Sequence, residues 1–386
     1  MIRNFYSFFC TCILLLVANV TNCYAQYETN LTVSLNEYTK ELDIRQEFTY
    51  YNNSNYNLGV IYFNDWANAY SDKNTGLAKR FAQEFKKSLH LAKADERGKT
   101  TIISVVDDSY NGLEWSRTEG KDILKVTLDD ILPPNTSTKI FITYKVKLPP
   151  NKYTTYGYGN RGDYYLKDWY LTPAVYDGQW HLYSNKNLED LYMNVTNTVI
   201  NFKFPDSLYL ASNFDIKSES AFPNGQFAKL KGNLQRGGEI ILKTQKDFYT
   251  HRTPYMTFLT DIKAPRYSPI GQGLSINKVA NFIHNNLGDY PHEKILVSEL
   301  DYNKDPLYGL NQLPSFIRPY EEQFQFEMKF LKTAINSILR ETMFLNPRKE
   351  QWLNSAIANY LMIAYIEENY PDQKLMGKLS KIWGFR

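Results

Sequence analysis

Outside its first 25 residues the chain has no cysteine: Cys10, Cys12 and Cys23 are all three that it contains. Disulfides and thiolate-held metals are thereby excluded from the remainder. Histidine is scarce as well. The five (His90, His181, His251, His284 and His292) include no two within four residues of each other. A helical zinc motif needs two imidazoles one turn apart, so none is written locally. There is no G-x-S-x-G elbow and no P-loop. An excess of one charge is lacking too. With Arg3 set aside, 43 basic residues face 41 acidic ones. Such balance argues against nucleic acid or an anionic membrane as the main partner. After residue 25 no run is apolar enough to span a bilayer, so no integral membrane segment is expected in the mature chain.

What is present begins with MIRNFYSFFCTCILLLVANVTNCYAQ. A positive residue, an apolar run and small residues before Gln26 give a signal peptide over 1–25, and hence an exported protein, periplasmic or secreted. Aromatics are abundant, with 31 Tyr, 22 Phe and 6 Trp, which favours a packed β-rich chain over a disordered one.

Residues 26–252 alternate apolar and polar positions in many short runs, as in TNLTVSLNEYTKELDIRQEFTYY and DILKVTLDDILPPNTSTKIFITYKVKL. This predicts a β domain, a sandwich or curved sheet. One helix interrupts it at about 75–97, with Leu77, Phe81, Phe85 and Leu89 on one face, Asn74 or Thr75 as its cap and Gly98 as its stop. Residues 253–386 change character. A helix capped by Ser275 ends at Gly288. EKILVSELDY reads as a strand. A long helix over EEQFQFEMKFLKTAINSILRETM is followed at Asn346-Pro347 by another, and DQKLMGKLSKIWGFR begins a third. The class expected is α+β.

DYPHEKILVSELDY contains His292-Glu293, the opening half of H-E-x-x-H, but Leu296 stands where the second His belongs, and the segment reads as strand. Paired carboxylates such as Asp107-Asp108 and Glu321-Glu322 fit solvated faces better than a glycosidase dyad. The tract 153–185 is dense in Tyr and Trp. Exposed, its rings, Trp169 and Trp180 among them, would suit sugars. Turned inward, they would form core, the commoner outcome.

Several stretches together resemble the M1-family aminopeptidase-like proteins of the gluzincin class, of the kind that bacteria export. NFKFPDSLYLASNF is similar to a family strand-and-turn ending in Ser-Asn, here Ser212-Asn213. YPHEK resembles the Tyr-Pro-x-x-Lys strand that leads into G-x-M-E-N, and YGLNQLP then occupies the place of that loop. WLNSAIANY resembles W-L-N-E-G-x-A-x-Y, matching at Trp352, Leu353, Asn354, Ala358 and Tyr360. The resemblance covers nearly all of the chain after the leader and stops partway into the catalytic domain. It implies an N-terminal β domain followed by the first part of a thermolysin-like domain of mixed sheet and helices.

The departures carry the functional expectation. The resemblance implies a remnant of the family's substrate groove at Gly309, which matches the loop, and Gln312; if Gln312 takes the place of the loop's Glu, the amine-binding carboxylate is lost. Family spacing puts H-E-x-x-H on Lys332-Thr333-Ala334-Ile335-Asn336 and the third zinc ligand on Ser355. The family's zinc finds no ligands here, so no cofactor, no metal-ligating residue and no catalytic residue is expected. The expectation is a degenerate, C-terminally truncated homologue of metallopeptidase-like fold, inactive as an enzyme, that binds peptide or protein segments by strand addition near Gly309–Pro314. The chain is expected either to be a truncated product or fragment, or to expose an apolar patch and self-associate. Two alternatives stand beside it: a zinc metallopeptidase using other ligands, and a secreted carbohydrate-binding β-module.

Overall fold

The structure, a computed structural model, describes residues 27–307, 310 and 320–371. Tyr27–Asn36 shows why the first half is sheet. Its odd-numbered side chains are buried and its even-numbered ones largely solvated, the two-residue period of a strand with one face inward. It lies inside a seven-stranded sheet. The order, edge to edge, is Asp215–Phe222, Gly225–Gln235, Thr196–Phe204, Tyr27–Asn36, Glu41–Tyr51, Ser137–Lys147 and Lys99–Val106. All pairs are antiparallel except Tyr27–Asn36 with Thr196–Phe204, in register Leu31 to Ile200. Two four-stranded sheets accompany it, one centred on Leu58–Asn64 and Ile123–Leu132, the other on Ile240–Lys243 and Tyr164–Leu166.

The inserted helix is shorter than its apolar spacing predicts. Helix α1 covers Gly76–Gln83, and Thr75 caps it by accepting from the Ala78 amide. Phe85 then takes φ +61°, which ends the helix and leaves its ring exposed, while Leu89 returns to the core from a turn. A left-handed residue is incompatible with continued helix.

The second half adds helices to a three-stranded sheet of Tyr249–Arg252, Thr257–Thr260 and Ile295–Val297, the last two parallel. Helix α2 spans Pro269–Leu287 and not a segment beginning at Ser275. Ser268 caps it, Pro269 supplies the preset φ of a first turn, and Ser275 is buried inside it. The strand expected over EKILVSELDY stops at Val297. Ser298 caps helix α3, Glu299–Lys304, accepting from the Asp301 amide at 3.0 Å. His292 and Glu293 lie in the bend before that strand, where no helical motif can form. Helix α4 covers Glu322–Thr342, and α5 covers Pro347–Asn369 with Asn346 as its cap.

The molecule is thus α+β, with a β-rich N-terminal domain. Its buried side chains form one large cluster within Tyr27–Leu242 and another within Met256–Ile366, with Ala211, Ile241 and Leu296 in a small third group. Trp169 is fully buried, and Trp180 packs on Tyr50, Tyr62 and Tyr176 with ring centroids 5.0–6.0 Å away. The aromatic tract is core here, and Trp169 presents no face to a sugar. Among the described residues no helix is long and apolar enough to cross a membrane. Trp352, Tyr360 and Ile363 of α5 are more than half exposed, and DQKLMGKLSKIWGFR lies outside the described residues.

Candidate functional site

A cavity of about 440 Å³ lies where α4 and α5 face the β-rich domain. Helix α4 is two-faced. Leu331, Ala334, Ile335 and Ile338 are buried in the core, while Lys332, Asn336 and Arg340 line the cavity. Their spacing of four stacks them on one side of the helix. Helix α5 answers with Gln351, Ser355 and Asn359 at the same spacing. Asn346 sets the start of α5, its Oδ1 accepting from the Arg348 amide at 3.0 Å. The β-rich domain contributes Lys167, Asp168, Glu189 and Arg236, and α3 and its end contribute Asp301, Lys304 and Asp305.

The site is densely charged. Lys304 Nζ lies 3.0 Å from Asp301 and 3.9 Å from Glu189, which also pairs with Lys167. The Arg340 guanidinium lies 3.7 Å from Glu341 and 4.0 Å from Glu239. Burial pushes the Asp168 carboxyl up to about 6 and that of Glu341 up to about 7, Arg340 offsetting only part of the latter. Burial opposes ionisation of Asp301 as well, but Lys304 and Arg340 prevail and hold it well below the usual carboxylate range. Burial likewise works against the Lys304 cation, yet Asp301, Glu239 and Glu189 keep it raised. The contrast follows from contact: Asp301 has a cation at hydrogen-bond distance, and among the described residues Asp168 has none so close.

The sequence-based positions sort as follows. Lys332 and Asn336, one turn apart on α4, and Ser355 on α5 line this one cavity. Thr333, which the resemblance puts at the place of the general base, donates its hydroxyl to the Lys329 carbonyl at 2.9 Å. Gly309 and Gln312 lie outside the described residues. The histidines do not converge on the cavity. His181 is buried against Asp177 and Tyr183. His251 bonds Asn277, His284 stacks on Tyr255, and His292 packs edge-on against Tyr290. His90 is solvent-exposed. Among the described residues no group of three or more His, Cys, Asp or Glu is placed to hold a metal ion.

A zinc ion, the metal that the resemblance implies, is not suited to these donors. An ammonium has no lone pair to give and repels a cation; an amide and a neutral hydroxyl are poor zinc ligands beside imidazole and carboxylate. Sequence reasoning missed the clustered charges. Asp168, Glu189, Glu239, Asp301 and Arg340 come from separate places in the chain, and no local pattern announces their meeting.

No protein-family model matches the chain, and no curated protein matches it in sequence. Solved structures do match in fold. An M1 zinc metallopeptidase from Deinococcus radiodurans, in a mutant form, superposes with a TM-score of 0.54 at 13% identity, over 92% of this chain and 73% of that one. The same mutant bound to a Tyr-Ser-Ala substrate gives 0.53 at 13% identity, and an M1 zinc metallopeptidase from that organism gives 0.52 at 12%, each over the same shares. At such identity the likeness speaks to architecture, and the chain has the two-domain fold of these M1 zinc metallopeptidases.

Proposed function

We propose that this is an exported protein that uses the M1 peptidase fold to bind peptide or protein segments without hydrolysing them. The observation that carries this reading is the cavity of about 440 Å³ whose walls present Lys332, Asn336 and Ser355 at the positions that the family resemblance assigns to zinc. The cleft keeps a size suited to a few residues of extended chain, and its hydrogen-bonding side chains can satisfy peptide groups. Activation of water by a metal has no donors at these positions. In this reading no cofactor is needed, and the catalytic-type domain begins near residue 253.

Two measurements test it on the purified protein. Metal analysis should find zinc far below one equivalent, with no release of amino acid from aminoacyl reporters. Titration with Tyr-Ser-Ala and with a mixture of longer peptides should find saturable binding. Stoichiometric zinc with turnover would establish the rival reading, a metallopeptidase with other ligands.

A further inference from the structure

We propose that the Lys332 ammonium is the anchor for a carboxylate on the bound peptide, standing as a tethered cation at a position that the family resemblance assigns to a zinc ligand. The proposal rests on the peptide-binding reading above and names the group that the cleft selects.

The cations of the cavity are not held alike. Asp301, which holds Lys304, has a side chain only 12% exposed. Glu239 and Glu341 beside Arg340 are more buried still, at 4% and 3%. Lys167 has Glu189, which Lys304 shares. Arg236 donates to the Met343 carbonyl at 2.7 Å. Lys332 differs. Its side chain is 13% exposed, yet its ion-pair partner, Asp305 at 2.9 Å, is 70% exposed. Asp305 follows the last turn of α3 and reaches the ammonium from the solvent side.

Such a pair is lopsided. A sheltered ammonium loses much of its hydration and needs an anion. A partner largely in water supplies a screened attraction and is readily exchanged. A carboxylate brought into the cavity by a ligand would meet the same ammonium with the ligand itself excluding water from the pair, which strengthens the interaction. It would also meet further donors. Asn336 lines the cavity, is exposed, and its side chain makes no hydrogen bond among the described residues. Among the described residues Ser355 Oγ has only a long bond to the Gln351 carbonyl, 3.4 Å, so its hydroxyl can turn. An ammonium, an amide N–H and a hydroxyl from two facing helices make a charge-assisted carboxylate site. Asp305 then acts as a competing internal anion that a ligand displaces.

The carboxylate can be a peptide's C-terminus or an acidic side chain, and three probes separate the two: Tyr-Ser-Ala as free acid, its C-terminal amide, and Ac-Tyr-Glu-Ala-amide. Calorimetric titration should show the free acid binding at least about tenfold more tightly than its amide, the 1.4 kcal/mol scale of one charge-assisted contact. Equal affinity of Ac-Tyr-Glu-Ala-amide and the free acid would assign the preference to any carboxylate; affinity like that of the plain amide would assign it to the C-terminus. Lys332→Met should remove the preference, so that the free acid binds no more tightly than its amide. Lys332→Arg should keep it. Asp305→Asn, at an exposed position that does not threaten folding, should tighten the free acid severalfold and not the amide. Equal affinity of all three probes in the wild type, with peptides still binding, overturns the anchor and leaves the peptide-binding reading intact; tight binding of Ac-Tyr-Glu-Ala-amide alone assigns the preference to an acidic side chain. A preference that survives Lys332→Met overturns it equally. Failure of every probe and of the longer peptides to bind overturns both.

Discussion

Arg348 of α5 places its Nε 2.7 Å from the carboxylate of Asp190, a residue of the β-rich domain whose side chain is 1% exposed. The same guanidinium donates to the Ser184 carbonyl and lies over the Tyr183 ring. One side chain thus ties the start of α5 to the opposite wall of the cleft. Removing it strands a buried carboxylate, which burial already disfavours as an anion. Arg348→Ala is expected to destabilise the protein by about 3–5 kcal/mol. Asp190→Asn in the same background should recover part of that loss, because no charge is then left buried. Denaturant unfolding of the two single variants and the double variant measures the coupling.

Glu327 is the hub of the helical half. Fully buried on α4, it accepts from Ser275 of α2 at 2.7 Å and from Tyr365 and Tyr370 at 2.6 Å each, and Lys278 lies 3.1 Å away. Burial alone would raise its carboxyl, but the two tyrosine hydroxyls and further donors hold it below the ordinary range. Its folded value is therefore below its unfolded one, and the stability it confers is lost as pH falls through that depressed value. Glu327→Gln keeps the shape and loses the charge. A cost of at least about 2 kcal/mol at neutral pH is expected, since hydrogen bonds to a charged acceptor contribute roughly 1.5–3 kcal/mol each. The variant should also lose less stability than the wild type on acidification. Chemical denaturation at pH 7 and pH 4 checks both.

Glu341 carries the opposite sign. Burial pushes its carboxyl up to about 7 although Arg340 is adjacent, and Asn213 of the β-rich domain donates to it at 3.3 Å. A folded value above the unfolded one means that its contribution is complete below pH about 4.5 and is lost as pH rises through about 7. Stability should therefore fall between pH 5 and 8, with Asp168, pushed up to about 6, adding to the slope. Glu341→Gln should flatten the upper part of that window and raise Tm at pH 8, by about 2–4 °C for each kcal/mol regained. Thermal unfolding of both proteins across the window decides it. A wild-type Tm that climbs from pH 5 to 8 would contradict the assignment.

The fold was legible where periodicity is strong and caps are local. The alternation in Tyr27–Asn36 and the Asn346-Pro347 start of α5 are both present in the structure. The errors have local causes as well. The spacing Leu77, Phe81, Phe85 suggests one helix, but spacing cannot show that Phe85 adopts φ +61°. Ser275 looks like a cap from its neighbours alone, yet it donates to Glu327 from the interior of α2, a role set by a residue far along the chain. The candidate site was legible in part. Lys332, Asn336 and Ser355 could be picked out because the resemblance marks their positions. The charges around them could not, because Asp168 and Arg340 become neighbours only through tertiary packing.

The mapping of the zinc positions onto Lys332, Asn336 and Ser355 can be tested by reversing it. Positions 332 and 336 stack one turn apart on α4, and position 355 faces the same cavity from α5. Imidazoles at the first two and a carboxylate at the third would recreate a His-His-Glu set. The triple variant Lys332→His, Asn336→His, Ser355→Glu is expected to gain a zinc-dependent rise in Tm that EDTA reverses. The underlying stabilisation is about 2.7 kcal/mol when free zinc is a hundredfold above Kd. The wild type and Lys332→His alone should respond to neither zinc nor EDTA, since one imidazole does not make a site. Asp305, released from its ammonium, would remain at the cavity mouth and would favour the cation's entry. Differential scanning fluorimetry with zinc, with magnesium as a hard-cation control, reads the outcome directly. A folded triple variant that ignores zinc would mean that these three positions do not converge as the family's ligands do, and that the ammonium at 332 is not standing in a former metal site.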